Sequence, residues 1–187
     1  MRIVGGRFKG RTLSAAEGRG LRPTADRVRE SMFNILSHGA DAVDFDGLTV
    51  IDVFSGTGAL GLEAMSRGAV HGVFIDNDNG ALSLVRKNAG PLGVGRDITP
   101  LKLDASRLAP PPRAAKTPAG LVFLDPPYES GLVVPALLAL KDKGWLSDGA
   151  ICVAEVAVKE ALDCPRGFQV LEERTYGAAR VVFLKLG

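Results

Sequence analysis

Two short apolar runs, each leading to an acid at a turn, constrain the fold of this chain more than any other feature. Residues 50–53 contain Asp52 and lead into the glycine-rich turn Gly56-Thr57-Gly58, and residues 121–124 lead into Asp125-Pro126-Pro127-Tyr128. An apolar run of this length, bounded by turn residues, predicts a strand buried on both faces of a parallel sheet. Ligands of open parallel sheets bind beyond the carboxyl ends of the strands, so we expect both motifs on one rim.

The rest of the chain alternates strand and helix patterns, which predicts an α/β fold. The predicted strands are residues 48–53, 70–76, 98–103, 120–125, 149–156, 168–175 and 178–186, and the predicted helices are residues 25–37, 59–67, 78–89 and 131–142. The last two strands are joined through Tyr176-Gly177, so they must be antiparallel. Residues 2–13 predict a small β-hairpin. We therefore expect a hairpin extension over residues 1–22 and one α/β domain over residues 23–187.

Positive charge is concentrated at the start of the chain. Residues 1–30 hold eight basic and three acidic residues, a net charge of +5, while the other 157 residues carry 15 basic and 18 acidic residues, a net charge of −3. A basic arm on a slightly acidic body favours a polyanionic partner that the arm contacts. The alternative is a solvated arginine-rich segment without a partner.

The composition is ordinary for a globular domain, with 187 residues of which 46% are hydrophobic and 24% are charged. No run approaches the ~20 apolar residues that span a bilayer, and the first residues lack the apolar core of a signal peptide. Cys152 and Cys164 form no disulfide framework, and His38 and His71 stand alone. We therefore expect reduced thiols, no bound metal, no membrane partner and a cytoplasmic monomer.

The glycine-rich turn is compatible with two cofactors. Residues 56–61 match G-x-G-x-x-G, and Asp76 ends the next predicted strand, which is also the pattern of a dinucleotide-binding loop. A nicotinamide oxidoreductase is therefore one alternative. Asp52, however, would repel a pyrophosphate and suits a ligand with ammonium and sulfonium groups, while Asp104 at a third strand end can accept a hydrogen bond from adenine. These acids favour S-adenosylmethionine (SAM), unless they only cap the helices that follow them.

The Asp-Pro-Pro-Tyr motif predicts chemistry at an exocyclic amine, which is a poor nucleophile because its lone pair is delocalised into the base. Asp125 and a backbone carbonyl held by the two prolines can accept both amine hydrogens and aim the lone pair at a methyl group. Tyr128 offers a face for a flipped base, an interaction worth ~1–3 kcal/mol in other proteins. The alternative is a Pro-Pro turn beside a packed tyrosine.

Together the two motifs resemble those of class I SAM-dependent amino-methyltransferases, and nearly the full chain resembles the RsmD family of bacterial 16S rRNA guanine-N2 methyltransferases. The resemblance is carried by residues 2–6 (RIVGG), 10–13 (GRTL), 22–30 (RPTADRVRE), 33–36 (FNIL) and 59–69 (ALGLEAMSRGA). It implies a seven-stranded Rossmann-like SAM methyltransferase sheet, mostly parallel with an antiparallel C-terminal strand. It also implies SAM as methyl donor, S-adenosylhomocysteine as product, and 16S rRNA in the small ribosomal subunit or an assembly intermediate as partner. The acceptor would be the N2 amine of a guanine of the guanine 966 type.

The resemblance further implies roles for individual residues. The cofactor would contact Asp52, Phe54, Gly56 and Gly58 at its methionine end, Asp76 and Asn77 at its ribose, and Asp104 and Ala105 at its adenine. The reaction site would comprise Asp125, Pro126, Pro127 and Tyr128. RNA would be contacted by Arg2, Arg7, Lys9, Arg11, Arg22, Arg27 and Arg29.

Asp-Pro-Pro-Tyr does not identify the base, because adenine-N6 methyltransferases of DNA share it and a related Asn-Pro-Pro-Tyr form modifies protein glutamine. A chain of 187 residues leaves no room for a DNA-reading domain, whereas a basic arm suits shaped RNA. A nicotinamide oxidoreductase would need a catalytic His, Lys or Tyr-Lys set, which the sequence does not display. A non-catalytic RNA-binding α/β module, the remaining alternative, would bind RNA without SAM.

Overall fold

One seven-stranded sheet organises residues 1–15 and 23–187, which are the residues that the computed structural model describes, without the side chains of residues 23–25. The strands are β1 (Thr49–Val53), β2 (His71–Asp76), β3 (Ile98–Lys102), β4 (Ala119–Leu124), β5 (Leu146–Ala157), β6 (Phe168–Tyr176) and β7 (Ala179–Leu186). The helices are α1 (Pro23–His38), α2 (Ala59–Ser66), α3 (Asn79–Ala89) and α4 (Val133–Asp142). These elements confirm the predicted α/β alternation, with boundaries that differ by a few residues.

The strand order is β3-β2-β1-β4-β5-β7-β6. All pairs from β3 to β5 are parallel, whereas β7 runs antiparallel to both β5 and β6. The prediction that the last two strands are antiparallel is therefore confirmed. The order reverses between β1 and β4, and their carboxyl ends carry the glycine-rich turn and the Asp-Pro-Pro-Tyr motif. In open α/β sheets this reversal point is where ligands bind.

The two faces of the sheet bury separate apolar layers. Successive side chains of a strand point to opposite faces, so alternate residues belong to different layers. The first layer, which packs against α1, α2 and α3, contains Val50, Phe74, Phe123, Val153 and Val181 from the sheet. The second layer, which packs against α4, contains Ile51, Val73, Val122, Cys152 and Val182. In α1, the Phe33 ring lies 5.3 Å from the Phe123 ring, which fixes this helix beside the centre of the sheet.

The N-terminal extension differs from a regular hairpin. It contains one antiparallel bridge, between Arg2 and Thr12, and a 3-10 turn over Gly6–Phe8. Three backbone bonds cross the hairpin, from Ile3 N to Arg11 O, from Gly10 N to Ile3 O and from Leu13 N to Met1 O. Two further amides bond to α2, where Val4 N donates to a Glu63 carboxylate oxygen at 2.8 Å and Phe8 N donates to Ser66 Oγ at 2.9 Å. Gly6 has φ +71, and a Cβ there would meet Ser66 O at 2.0 Å. The predicted hairpin is therefore present in short form, and its contacts with α2 hold it against the sheet domain.

Within the described residues, no helix combines the length and the apolar character needed to cross a membrane.

Candidate active site

Four carboxylates lie at the carboxyl ends of four neighbouring strands. In sheet order they are Asp76 on β2, Asp52 on β1, Asp125 after β4 and Glu155 on β5. The pleat alternation places them on the sheet face that packs against α1, α2 and α3, because each follows a first-layer residue by two positions. Neighbouring strands lie about 4.8 Å apart, so the row spans roughly 14 Å. We call these four residues the carboxylate row.

Asp52 is the buried member of the carboxylate row, with only 2% of its surface exposed. One of its oxygens accepts a hydrogen bond from Gly61 N at 2.9 Å. Burial raises the pKa of the Asp52 carboxyl well above its usual range, and the negative charges of Asp125 and Asp76 raise it further, while the Gly61 bond opposes them. The site therefore favours a ligand that brings positive charge to Asp52.

The glycine-rich turn after β1 is held by the carboxylate row. Gly56 N donates to Asp76 Oδ2 at 3.0 Å, and Phe54 adopts a positive φ of 60° at the strand end. A Cβ on Gly56 would have Phe54 O as its nearest neighbour, at 3.9 Å, so this side of the turn is open to a ligand. A Cβ on Gly58 would lie 3.1 Å from the Phe74 and Val85 side chains, so Gly58 is required by packing as well as by its φ of +76.

Asp76, the acid predicted to hold the ribose, begins the turn that leads into α3. Asp76 is half-buried and accepts from Asp78 N at 2.9 Å through its second oxygen, and Asn77 is exposed. Asp78, which the sequence reasoning did not single out, caps α3 by accepting from Gly80 N and Ala81 N. Both Asp76 oxygens are thus held at fixed positions beside the open turn.

Asp104, the acid predicted to reach adenine, is exposed at the end of the β3 segment. Its carboxylate accepts from Ser106 Oγ at 2.7 Å and from Ser106 N at 2.9 Å. Both bonds lower the pKa of Asp104, and the bond from the Ser106 hydroxyl has the larger effect. Asp104 therefore caps the short turn that buries Ala105, as the capping alternative predicts, and its contact with adenine stays a prediction.

The Asp-Pro-Pro-Tyr turn is anchored to both neighbouring strands. Asp125 N donates to Val53 O of β1 at 3.4 Å, and the Tyr128 hydroxyl donates to Glu155 Oε1 of β5 at 2.8 Å. Pro126 is buried and Pro127 is exposed, while Tyr128 retains 48% of its surface. The turn thus presents a carboxylate and a half-exposed aromatic side chain on the same rim.

Sequence reasoning missed Glu155 and Glu160. Glu155 interrupts the apolar run of β5 at residues 150–157, which is the same signal that identified Asp52. Glu160 accepts from Glu129 N at 2.7 Å and from Ala157 N at 3.3 Å. It thereby ties the segment after Tyr128 to the end of β5, a contact between distant residues that no local pattern reveals.

The basic residues assigned to RNA binding occupy different environments. Arg2, Arg7, Lys9, Arg11 and Arg27 are exposed. Arg29 is 5% exposed and donates to Arg2 O and to Asp26 Oδ1, so its guanidinium is occupied inside the protein and the predicted phosphate contact is not supported by its burial. Arg22 lies outside the described residues.

The extension runs along α2 from the ligand rim toward the opposite end of the sheet. Ser14, at the rim side, exchanges hydrogen bonds with the buried Asn88, whose amide also donates to Thr57 O of the glycine-rich turn at 2.9 Å. The turn of residues 6–8 instead packs on Ser66, at the far end of the eight-residue helix, roughly 10 Å away. Arg7 is therefore remote from the rim, whereas Asn88 links the extension directly to the ligand loop.

The residues present fit SAM better than a dinucleotide. The loop amides of Gly56 and Gly61 already donate to Asp76 and Asp52, so they are not offered to a pyrophosphate. Ser55 Oγ is buried beside the turn and has no hydrogen-bond partner among the described residues, which leaves a polar atom for a polar ligand. No group of three or more His, Cys, Asp or Glu side chains is arranged to hold a metal in the described part of the chain.

Comparisons with known proteins give matches over nearly the whole chain. A family model described as conserved hypothetical protein 95 matches residues 1–185. The chain is 37% identical over 178 residues to ribosomal RNA small subunit methyltransferase D of Escherichia coli K12, which covers 95% of this chain and 85% of that protein. It is 35% identical to the putative rRNA methyltransferase YlbH of Bacillus subtilis, covering 99% of this chain and 98% of that protein.

Among solved structures, the putative methyltransferase yhhF from Escherichia coli is similar to this chain, with a TM-score of 0.83 and 30% identity. The similarity covers 100% of this chain and 97% of that one. The predicted Rossmann-like methyltransferase sheet is thereby confirmed.

Proposed function

The chain belongs to the RsmD family, described as conserved hypothetical protein 95, and on this premise we propose that it is a SAM-dependent methyltransferase of small-subunit ribosomal RNA. The observation that carries the proposal is the carboxylate row beside an anchored Asp-Pro-Pro-Tyr turn. Relatives named as rRNA methyltransferases support the choice of RNA as substrate. The finer proposal is transfer to the N2 amine of a guanine in 16S rRNA, of the guanine 966 type.

The cofactor would be held along the carboxylate row. Asp52 would face the cationic methionine end together with Phe54, Gly56 and Gly58, because it is buried and the charges of Asp125 and Asp76 add to the cost of its own negative charge. The ribose hydroxyls would bond to Asp76 beside Asn77, and adenine would lie near Asp104 and Ala105. When bound, SAM supplies an electrophilic methyl group on a sulfonium.

The amine would be prepared by the Asp125 carboxylate and the Pro126 carbonyl, which accept its two hydrogens and direct its lone pair along the rim toward Asp52. Asp125 is suited to this role because its backbone is bonded to β1 and its proline neighbours restrict the turn. Tyr128, which keeps about half of its surface exposed, would stack on the base. Catalysis would then depend on orientation and on preorganised acceptors.

RNA phosphates would contact the exposed basic side chains of the extension and of α1, namely Arg2, Arg7, Lys9, Arg11 and Arg27. Replacing Arg7, Lys9 and Arg11 by serine should weaken RNA binding and reduce the salt slope by about 2, since each phosphate contact releases roughly 0.7–0.9 counterions. The matched control replaces three exposed basic residues far from this surface by serine, namely Arg113, Lys143 and Arg166. Equal salt slopes for the two triple variants would remove the extension from the RNA interface.

The function is tested by methyl transfer from labelled SAM to small ribosomal subunits that lack their own modifications, followed by nucleoside analysis. We expect N2-methylguanosine in 16S rRNA. N6-methyladenosine would keep the site chemistry and overturn the guanine assignment, whereas no label on RNA would overturn the rRNA proposal.

The reaction site is tested by Asp125→Ala in the same assay. Loss of an oriented acceptor should lower kcat by about 100-fold or more, while SAM affinity changes by only a few-fold. Asp163→Ala, at an exposed carboxylate, is the matched control and should leave both quantities unchanged. A loss of SAM binding in Asp125→Ala, with kcat maintained at saturating SAM, would reassign Asp125 to the cofactor.

A further inference from the structure

Glu155 is the member of the carboxylate row that the proposed cofactor and amine contacts leave without a role. The register of β4 and β5 pairs Leu124 with Ala154, so Glu155 stands beside Asp125 on the adjacent strand. Its side chain points to the same sheet face as that of Val153, two residues earlier, and this is the face of the reaction site. An acid within the apolar segment 150–157 of β5 costs free energy unless its carboxylate is hydrogen-bonded or paired.

Glu155 is also attached to the residue on which a base would stack. Its Oε1 accepts the hydroxyl hydrogen of Tyr128 at 2.8 Å, while the Tyr128 ring stays half-exposed. Glu155 itself is partly exposed, and an ionised carboxylate can accept further hydrogen bonds beside the one from Tyr128. A hydrogen-bond acceptor thus lies at the edge of the aromatic face, on the side away from Asp52.

We infer that Glu155 accepts the N1–H of the target guanine and so selects guanine over adenine, an inference that rests on the proposed function. Guanine presents N1–H as a donor directly beside its N2 amine. If Asp125 and Pro126 take the two N2 hydrogens, the next atom along the base edge is N1, and the next acceptor along the rim is Glu155. Glutamate is one methylene longer than aspartate, which lets it reach the same base edge from the adjacent strand.

Adenine would meet the opposite polarity at this position. Its N1 is unprotonated beside the N6 amine, so the lone pair of N1 would face the lone pairs of the Glu155 carboxylate. Fully buried sites that hydrogen-bond an N–H discriminate against an analogue without it by about 10,000-fold or more. Because Glu155 is partly exposed to water, we expect a smaller preference, about 100-fold in kcat/KM.

The test replaces the target guanine by 2-aminopurine, which keeps the 2-amine but carries an unprotonated N1. Small subunits are reconstituted with 16S rRNA ligated to contain either base, and methyl transfer from labelled SAM is measured for wild type, Glu155→Gln and Tyr128→Phe. Wild type should prefer guanine by about 100-fold. Glu155→Gln should reduce that preference to below about 10-fold, because a glutamine amide can accept from guanine or donate to 2-aminopurine.

Tyr128→Phe separates base recognition from support of the tyrosine. It removes the hydroxyl that Glu155 holds but keeps the carboxylate, so the guanine preference should persist even if kcat falls. An unchanged preference in Glu155→Gln, with both substrates slowed equally in the two variants, would overturn the inference and make Glu155 a support for Tyr128. If wild-type protein transfers no methyl group to guanine-containing subunits, the proposed function fails first, and the inference fails with it.

Discussion

Asp52→Asn should stabilise the protein without cofactor while weakening SAM binding. Asparagine has nearly the same shape and keeps an oxygen that accepts from Gly61 N, so the buried hydrogen bond is retained. The substitution removes a carboxyl whose ionisation is opposed by burial and by the charges of Asp125 and Asp76. The variant therefore removes the free-energy cost of the buried charge while it keeps the packing around residue 52.

The magnitude follows from proton linkage. Because the pKa of Asp52 is raised in the folded state, the folded protein binds more protons than the unfolded chain at any pH between the ordinary aspartate pKa of 3.8 and the raised pKa. Stability then falls as pH rises through this window, by about 1.4 kcal/mol per pH unit for one proton. The asparagine variant lacks this pH dependence. The difference in free energy of unfolding between the variant and the wild type should therefore grow by about 1.4 kcal/mol per pH unit and level off above the raised pKa.

The assay is urea unfolding of wild type and Asp52→Asn without cofactor, at pH steps from 4 to 8, in each case with a two-state fit. Calorimetric titration at the same pH values measures the affinity of both proteins for SAM. Binding of the sulfonium should favour the ionised carboxylate, so SAM affinity of the wild type should rise with pH by up to about 10-fold per unit within the window. The variant should bind more weakly and without this pH dependence.

Asp148→Asn is the control, because Asp148 is an exposed carboxylate on β5 far from the row. It should reproduce the wild-type pH profile. Parallel stability profiles for wild type and Asp52→Asn would refute the reasoning, since they would mean that Asp52 binds the same number of protons in the folded and unfolded chain.

Two further predictions concern contacts away from the row. Asn88→Ala should lower the free energy of unfolding by about 1 kcal/mol, because it removes hydrogen bonds from the buried Asn88 amide to the partly buried backbone groups of Ser14 and Thr57. It should also weaken SAM binding through the glycine-rich turn. The control is Asn34→Ala at an exposed position, and equal urea midpoints for the two variants would contradict this account. Burial raises the pKa of the Cys152 thiol to about 12, whereas Cys164 is exposed. Iodoacetamide at pH 8 should therefore label one thiol per native chain, that of Cys164. Labelling that persists in Cys164→Ser would contradict the burial of Cys152.

The sequence was sufficient to predict the elements and the two motifs because these depend on local patterns. A buried parallel strand requires a continuous apolar run, and a turn that changes direction sharply requires glycine or proline, so β1 and β4 and their loops are visible in the residues themselves. The antiparallel arrangement of β6 and β7 follows from the length of the connection alone. The acids Asp52, Asp76 and Asp125 were identified in the same way, as polar residues at the ends of apolar runs.

The tertiary structure was needed wherever a residue's role depends on a partner distant in the chain. Arg29 is basic like Arg27, yet it is buried and bonded to Arg2 and Asp26, so the sequence alone does not tell which arginines of α1 are exposed. The extension docks on α2 through Glu63 and Ser66, and these contacts between distant residues add to the short hairpin that its own pattern predicts. Glu155 lies beside the Asp-Pro-Pro-Tyr turn only because the strand order sets β5 next to β4, and strand order is a property of packing between layers that no local pattern contains.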